Sequence, residues 1–352
     1  MNAFAPVTGL AVRTADLTNA GEAARIDAFV ATHPRAEPFH RPAWSRAVER
    51  ACGQGAHYLV AEDGQGVRGL LPLTQVRSPL FGSALVSTGF GVGGGILGEA
   101  AAPLAAAAEQ LARSLGIASL ELRGGEVPSG WDAREGAYAG FARELPNDDE
   151  AILKAIPRKQ RAEVRRAQTL GLTVRVGRGE QDLADHYRVY SESVRNLGTP
   201  VFPRALFRRM LAAWGEEADI LTVSKDGRPL ASVFSLYFKN AVYPYWGGGT
   251  KDARTLRANE HMYHELMRHA AARGCTRFDF GRSKVGTGAF AYKKNWGFEP
   301  RPLRYATRSL DGTAAREINP LSPRYRLQVQ LWQKLPLPIA NLIGPWIAQG
   351  LG

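Results

Sequence analysis

The sequence predicts an α/β chain in which one domain plan occurs twice. Three observations predict it. A helix followed by three meandering strands appears in each half. Each third strand runs into three consecutive glycines. Each copy then has a helix closed by glycine, followed by one more apolar strand.

In the first half, residues 42–51 have helical periodicity and 57–62 alternate as a strand, with Asp63-Gly64 turning into a second strand at 69–76. A third strand at 84–88 leads into Gly93-Gly94-Gly95. Residues 103–115 form an Ala/Leu helix closed by Gly116, and 117–122 form the next strand. The second half repeats the order. Pro203 opens a helix over 203–214, residues 220–225 form a strand, and Asp226-Gly227 turns into a strand at 230–238. Lys239-Asn240 turns into 242–246, which ends at Gly247-Gly248-Gly249. A helix over 259–273 is closed by Gly274 and followed by a strand at 275–280, so that Leu120-Glu121-Leu122 aligns with Phe278-Asp279-Phe280.

The expected boundaries are a first domain at 1–145, a second at 146–315 and an amphipathic tail at 316–352. Asn147, Asp148 and Asp149 offer N-caps at the joint, and the helix they start is expected to kink or restart at Pro157 and run to Gly171.

Composition narrows the class. With 352 residues, 45% apolar and 22% charged, the chain can bury two cores and is not a largely disordered protein. Cys52 and Cys275 are too few for a disulfide framework or a zinc site, which fits a reducing compartment and structural thiols. His261, His264 and His269 lack partners at metal-ligand spacing, so no metal is expected. Residues 1–10 lack the pattern of a secretory signal and no apolar stretch is long enough to span a bilayer, so a cytoplasmic location is expected. The net charge of +12 is uneven: residues 1–145 hold 12 Arg, no Lys and 14 acidic residues, net −2, against 33 basic and 19 acidic residues in 146–352, net +14. An anionic partner, whether RNA, an acyl carrier, a glycan or a membrane surface, is expected to meet the second half first.

Three stretches are specific: Ile156-Pro157-Arg158-Lys159-Gln160-Arg161-Ala162-Glu163-Val164-Arg165; Tyr245-Trp246-Gly247-Gly248-Gly249; and Asp279-Phe280-Gly281-Arg282-Ser283-Lys284 continuing to Tyr292-Lys293-Lys294-Asn295-Trp296-Gly297-Phe298. In these stretches, and in element order over most of its length, the chain resembles the FemAB-type tandem GNAT (acyl-CoA N-acyltransferase) proteins. Among them it is most similar to the subgroup associated with PEP-CTERM/exosortase systems and exopolysaccharide loci. The resemblance implies an α/β fold of two tandem GNAT-like domains and an amide-forming acyltransferase acting on a cell-envelope or exopolysaccharide precursor. No bound cofactor is expected; the resemblance implies an aminoacyl-tRNA or acyl-CoA as donor and a small-molecule or lipid-linked glycan or peptide as acceptor, and peripheral contact at the inner membrane is an expectation that rests on the tail. In relatives of this type the lysine of an aromatic-Lys pair approaches the acyl carbonyl. That pair is Tyr292-Lys293 here, followed by Trp296-Gly297.

Amide synthesis from an ester or thioester needs a neutral amine and a donor for the carbonyl oxygen that becomes an oxyanion. Lys293 is the candidate donor, against the reading of a surface lysine on a last hairpin. Asp279 reads either as acceptor of the amine proton or, with Glu121 as its counterpart, as an inherited feature of the repeat. Arg282 and Lys284 are candidates for holding a phosphate, in a loop whose glycines equally read as turn chemistry. Trp246 is a candidate wall of the substrate site or a core aromatic, and Asn259 a substrate contact or a helix cap. Arg158 and Arg161 bind an anion or belong to a solvated basic face. The glycine runs read as strand ends left open for substrate or as loose turns. Ordinary GNAT acetyltransferases cradle the coenzyme A pyrophosphate with an Arg/Gln-x-x-Gly-x-Gly/Ala segment. Gly247-Gly248-Gly249-Thr250-Lys251-Asp252-Ala253-Arg254 does not match it, which speaks against acetyl-CoA. Two other functions remain open on the residues: a non-catalytic glycan-binding or assembly factor that retains the fold, and an RNA-binding module drawn by the +14 half. The tail, with Arg324, Arg326, Trp332, Lys334 and Trp346 among Pro336, Pro338 and Pro345, docks on a membrane face or packs on its own domains.

Overall fold

A computed structural model describes residues 9–313 and 323–352. The N-terminal reading at 1–8 and the start of the tail at 316–322 lie outside the described residues, as do the side chains of Arg324 and Arg326.

The chain runs β1 (Ala11–Thr14), α1 (Ala20–Thr32), α2 (Pro42–Cys52), β2 (Gly55–Asp63), β3 (Gly66–Ser78), β4 (Gly82–Ser87), β5 (Leu97–Gly98), α3 (Ala101–Ser114), β6 (Ser119–Arg123) and β7 (Asp132–Arg134). It continues through β8 (Tyr138–Glu144), α4 (Asp149–Ala155), α5 (Arg158–Gln168), β9 (Thr173–Gly177), α6 (Glu180–Asn196), α7 (Arg204–Trp214), β10 (Ala218–Lys225), β11 (Arg228–Phe238) and β12 (Ala241–Gly249). The last elements are α8 (Ala258–Ala272), β13 (Arg277–Lys284), α9 (Gly288–Asn295), β14 (Pro300–Pro302), β15 (Tyr305–Ser309), α10 (Pro323–Lys334) and α11 (Leu337–Ala348).

These elements form two compact units. Within the described residues, one comprises 9–135, 304–313 and 350–352, the other 136–303 and 323–349. The first unit's sheet has the order β1-β2-β3-β4-β6-β15-β7, with β5 beside β3; the second has β9-β10-β11-β12-β13-β8-β14. Taken in these orders the sheets correspond strand for strand. In each the only parallel pair of named strands among the described residues is the one bridged by a crossover helix: β4 with β6 across α3, and β12 with β13 across α8. β6 and β13 thus hold equivalent places, as the alignment of their sequences predicts.

The sequence plan does not anticipate an exchange of strands. β8, counted by sequence with the first half, pairs with β13 through Phe278↔Arg143 and Asp279↔Ala142. β15, counted with the second half, pairs with β6 through Leu122↔Ala306. Alternation marks a strand but not its neighbour, so period two fits either sheet equally. α10 and α11, the expected tail, belong to the second unit.

Each core lies between sheet and crossover helix. In the first, Leu71, Leu73, Leu85 and Leu120 meet Leu104 and Ala108 of α3; in the second, Val233, Val242 and Phe278 meet Met262 and Leu266 of α8. The hairpins of the second sheet follow from local chemistry: Asp226-Gly227 (φ 51° and 75°) and Lys239-Asn240 (φ 48° and 57°) supply the paired positive φ angles of two-residue turns. Asp148 caps α4 by accepting from the Ala151 amide at 2.8 Å, and the helix restarts as α5 after Pro157. The glycine run at 247–249 is not a loose turn. It is strand, paired with Val233, Ser232 and Ala231. A Cβ on Gly248 would sit 2.2 Å from Ser193 Oγ, and one on Gly249 2.5 Å from Asn259 Oδ1, so only glycine lets α6 and α8 close onto this strand.

Candidate active site in the second unit

β12 and β13 are in register only at Ala241↔Arg277 and Val242↔Phe278, yet β12 continues to Gly249 and β13 to Lys284. The strands therefore part toward their C-terminal ends, leaving backbone there that the sheet does not pair. In the first unit the corresponding gap is stitched shut. The Gly95 amide donates to Arg123 O at 2.9 Å and Ile96 bridges Gly125. The buried Arg123 guanidinium donates to the carbonyls of Thr88 (3.3 Å), Gly91 (3.0 Å) and Gly352 (2.7 Å). Glu121, the counterpart of Asp279, is held by Arg123 Nε at 2.6 Å. Residues 9–135 and 304–313 contain no lysine. The gap and the candidate lysine therefore occur together in the second unit.

Lys293 is placed by two local features. β13 bulges between Asp279 and Arg282, where Gly281 takes φ 68° and its amide donates to Asp279 Oδ1 at 3.0 Å. α9 then starts with Thr287, whose Oγ1 accepts from the Phe290 amide at 3.3 Å. Near the end of this helix Lys293 turns back to the bulge. Its Nζ donates to Arg282 O at 2.8 Å and lies 5.4 and 5.5 Å from the ring centroids of Phe280 and Phe141. It is not a surface lysine on a hairpin, because α9 folds it over the aromatic wall. Burial pushes its pKa down to about 7; Asp279 pulls it up and Arg282 pushes it further down. Burial likewise pushes the Asp279 carboxyl up, opposed by the Gly281 amide, Arg277 at 3.2 Å and Lys293. An acid and a base displaced toward each other beside a parted strand pair is the arrangement expected of a reactive site.

The other candidates separate into those near this wall and those elsewhere. Arg282 and Lys284 lie over one ring, Tyr138 of β8, at 4.8 and 6.0 Å. Tyr292 packs 6.0 Å from Tyr263 and 6.4 Å from Trp296, and neither its buried hydroxyl nor Trp296 Nε1 makes a hydrogen bond of normal geometry among the described residues. Asn259 opens α8 against the Gly249 end of β12. Arg158 is exposed on α5 with Lys159, Arg165 and Arg166. Two expectations need correction. Trp246 is buried with its ring 5.3 Å from both Phe207 and Phe234, in the core packed by α7, so its face is taken by protein. Arg161 donates to Ile156 O at 3.1 Å and Lys154 O at 3.4 Å, bracing the corner between α4 and α5. Residue type alone does not say which way such a side chain turns.

Sequence reasoning missed Arg143. From β8 it donates to Ala155 O at 2.9 Å and Trp296 O at 3.2 Å, and its guanidinium lies 4.4 Å from the Phe298 centroid. It ties the end of α4 to the segment that carries Lys293. Its signal is period two: Arg143 shares a strand face with Ala139 and Phe141, both buried.

Six amides after β12 are committed internally. The amides of Thr250, Ala253, Leu256, Arg257 and Ala258 donate to Leu230, Thr250, Asp252, Arg254 and Ala253 carbonyls, and the Lys251 amide donates to Glu192. Cys52 and Cys275 are buried free thiols; burial pushes Cys52 up to about 12. His269 Nε2 lies 2.8 Å from the buried Asp219 carboxylate, to which Tyr237 also donates.

Residues 157–294, which carry Lys293 and both parted strands, match the family described as an acetyltransferase (GNAT) domain. The chain has the tandem GNAT fold. Its structure resembles the crystal structure of FemX with a TM-score of 0.64 at 15% identity, covering 84% of this chain and 96% of that one. It also resembles a tandem GNAT protein from the clavulanic acid biosynthesis pathway, with a TM-score of 0.55 at 13% identity over 87% and 99% of the two chains. A stretch of 79 residues is 29% identical to Lipid II:glycine glycyltransferase of Staphylococcus epidermidis, covering 20% of this chain. The match spans 19% of that relative's length.

Proposed function

We propose that this chain is a FemAB-like acyltransferase that forms an amide between an aminoacyl or acyl donor and an amine of a cell-envelope or exopolysaccharide precursor, with the reaction in the second unit. The observation that carries this reading is Lys293, desolvated at the parted strands and already donating to a carbonyl oxygen, Arg282 O. In the reaction the acceptor nitrogen attacks the donor carbonyl carbon and the carbonyl oxygen gains charge. The Lys293 ammonium stabilises that oxygen. Asp279, whose raised pKa makes it a better proton acceptor than an ordinary carboxylate, takes the proton the nitrogen loses as the N–C bond forms. The proton then passes to the leaving ester oxygen or thiol sulfur as its bond to carbon breaks. Arg282 and Lys284 border the donor's phosphates, and Tyr292 and Asn259 border the substrate. The segment after β12 lacks the Arg/Gln-x-x-Gly-x-Gly/Ala pattern and six of its amides are already occupied, which supports an aminoacyl ester over acyl-CoA. The name of the glycyltransferase relative supports a lipid-linked acceptor.

The test is to incubate the protein with charged tRNAs, acyl-CoAs and amine-bearing lipid-linked precursors and to analyse products by mass spectrometry. One amide-linked product is expected. Binding of a glycan precursor without product from any donor would instead favour a non-catalytic binding factor.

A further inference from the structure

α11, at the end of the second unit, is turned inside out. α11 buries its small residues, Ala340, Gly344 and Ala348, spaced four apart, in a contact that includes α6. The packing leaves no room for more: a Cβ on Gly344 would come 3.2 Å from Val201 Cγ1. The large residues face outward. Leu342 is 79% exposed and Trp346 59%, with Ile339 and Ile343 completing the same face at spacings of three and four. On α10, Leu327 (63%) and Leu331 (58%) repeat the pattern one turn apart. Leu197, after the end of α6, is 64% exposed, and the Asn196 carbonyl beside it accepts from Gln333 Nε2 of α10 at 3.2 Å. A helix on a water-soluble domain turns its large apolar side chains inward. A contiguous outward apolar face is matched to an apolar medium or partner.

Charge decides between occupants. Residues 318–352 contain Arg324, Arg326 and Lys334 and no Asp or Glu. A second copy of this face would bring like charges together with no acid from the segment to compensate, whereas anionic headgroups complement it. Trp346, on the outward face, is the residue type that settles at the boundary between headgroups and acyl chains, whereas Trp332 packs inward beside Gly344. At 12 residues each, α10 and α11 are too short to cross a bilayer, and among the described residues no helix is long and apolar enough to do so. We infer that α10 and α11 form an in-plane docking surface for an anionic lipid bilayer, with Leu327, Leu331 and Leu342 inserted among the acyl chains and Trp346 at their boundary with the headgroups. The surface is independent of the transfer chemistry.

The experiment is flotation of the full chain with vesicles of phosphatidylcholine alone and of phosphatidylcholine with one third phosphatidylglycerol, beside the double variant Leu342→Glu, Trp346→Glu. Both positions are exposed, so circular dichroism of the variant is expected to match the parent. The chain should float with the anionic vesicles, less so at high salt, and the variant should lose at least about tenfold in apparent affinity, since a carboxylate in the acyl region is strongly disfavoured. No flotation with either vesicle, or equal flotation of the folded variant, overturns the inference. So does a concentration-dependent dimer in sedimentation equilibrium that the same variant abolishes, which would assign the face to a second copy. No substrate is needed, so failure here leaves the proposed transfer reaction standing.

Discussion

Replacing Lys293 with Met should stabilise the second unit. A free lysine titrates near 10.5, and burial holds Lys293 near 7 in the fold. A displacement of that size, at about 1.4 kcal/mol per pH unit, corresponds to roughly 4–5 kcal/mol of unfavourable burial of charge at neutral pH. Methionine keeps the aliphatic volume against Phe141 and Phe280 and removes the charge. It also loses the hydrogen bond to Arg282 O, worth about 1 kcal/mol, so a net gain of about 3 kcal/mol is expected. Between about 7 and 10.5 the unfolded chain holds a proton that the folded chain has released. Wild-type stability therefore rises with pH across that window, and the full penalty is present below it. The advantage of Lys293→Met is then largest at pH 7 and below and fades as pH approaches 10.5. Urea denaturation of both proteins at several pH values, followed by circular dichroism over the second unit's transition, measures it. An advantage that does not change with pH, or a variant less stable at every pH, would show that the ammonium is hydrated and not buried.

Tyr292→Phe removes a buried hydroxyl without a well-formed hydrogen bond, so stability should hold or rise by about 1 kcal/mol, read by urea denaturation. Arg143→Met leaves the carbonyls of Ala155 and Trp296 without their donor and should destabilise the second unit by about 1–3 kcal/mol, with loss of transfer through displacement of Lys293. Neutralising the exposed Arg158, Lys159, Arg165 and Arg166 to Gln should weaken polyanion binding and flatten its salt dependence by up to about 0.9 for each phosphate left unneutralised; an unchanged slope in a tRNA titration excludes this face.

What the sequence made legible was local. Asp226-Gly227 and Lys239-Asn240 announce their hairpins because positive φ is a property of two residues. The repeat is visible because the same succession of turn residues and apolar runs recurs. What it concealed depends on which surfaces meet. β8 and β15 have strand patterns, but nothing in 138–144 or 305–309 names the sheet that receives them. Gly247 to Gly249 look like a loop by composition; they are strand because they pair with residues 231–233, and Gly248 and Gly249 are glycine because Ser193 and Asn259 crowd them. The Tyr292-Lys293 segment was found by resemblance. Its burial, its hydrogen bond to Arg282 O and its support by Arg143 come from the bulge at Gly281 and the fold of α9, which no spacing encodes. Trp246 and Arg161 turned away from the site for the same reason: a side chain's direction is set by packing.

The most direct test of the central claim is single-turnover transfer by wild type and Lys293→Met with one donor and one amine acceptor, followed by mass spectrometry. Losing one oxyanion donor removes about 3 kcal/mol of transition-state stabilisation, so the variant should form the amide product at least about a hundredfold more slowly while still binding donor. An amide product formed at the wild-type rate by a folded Lys293→Met protein would contradict the account.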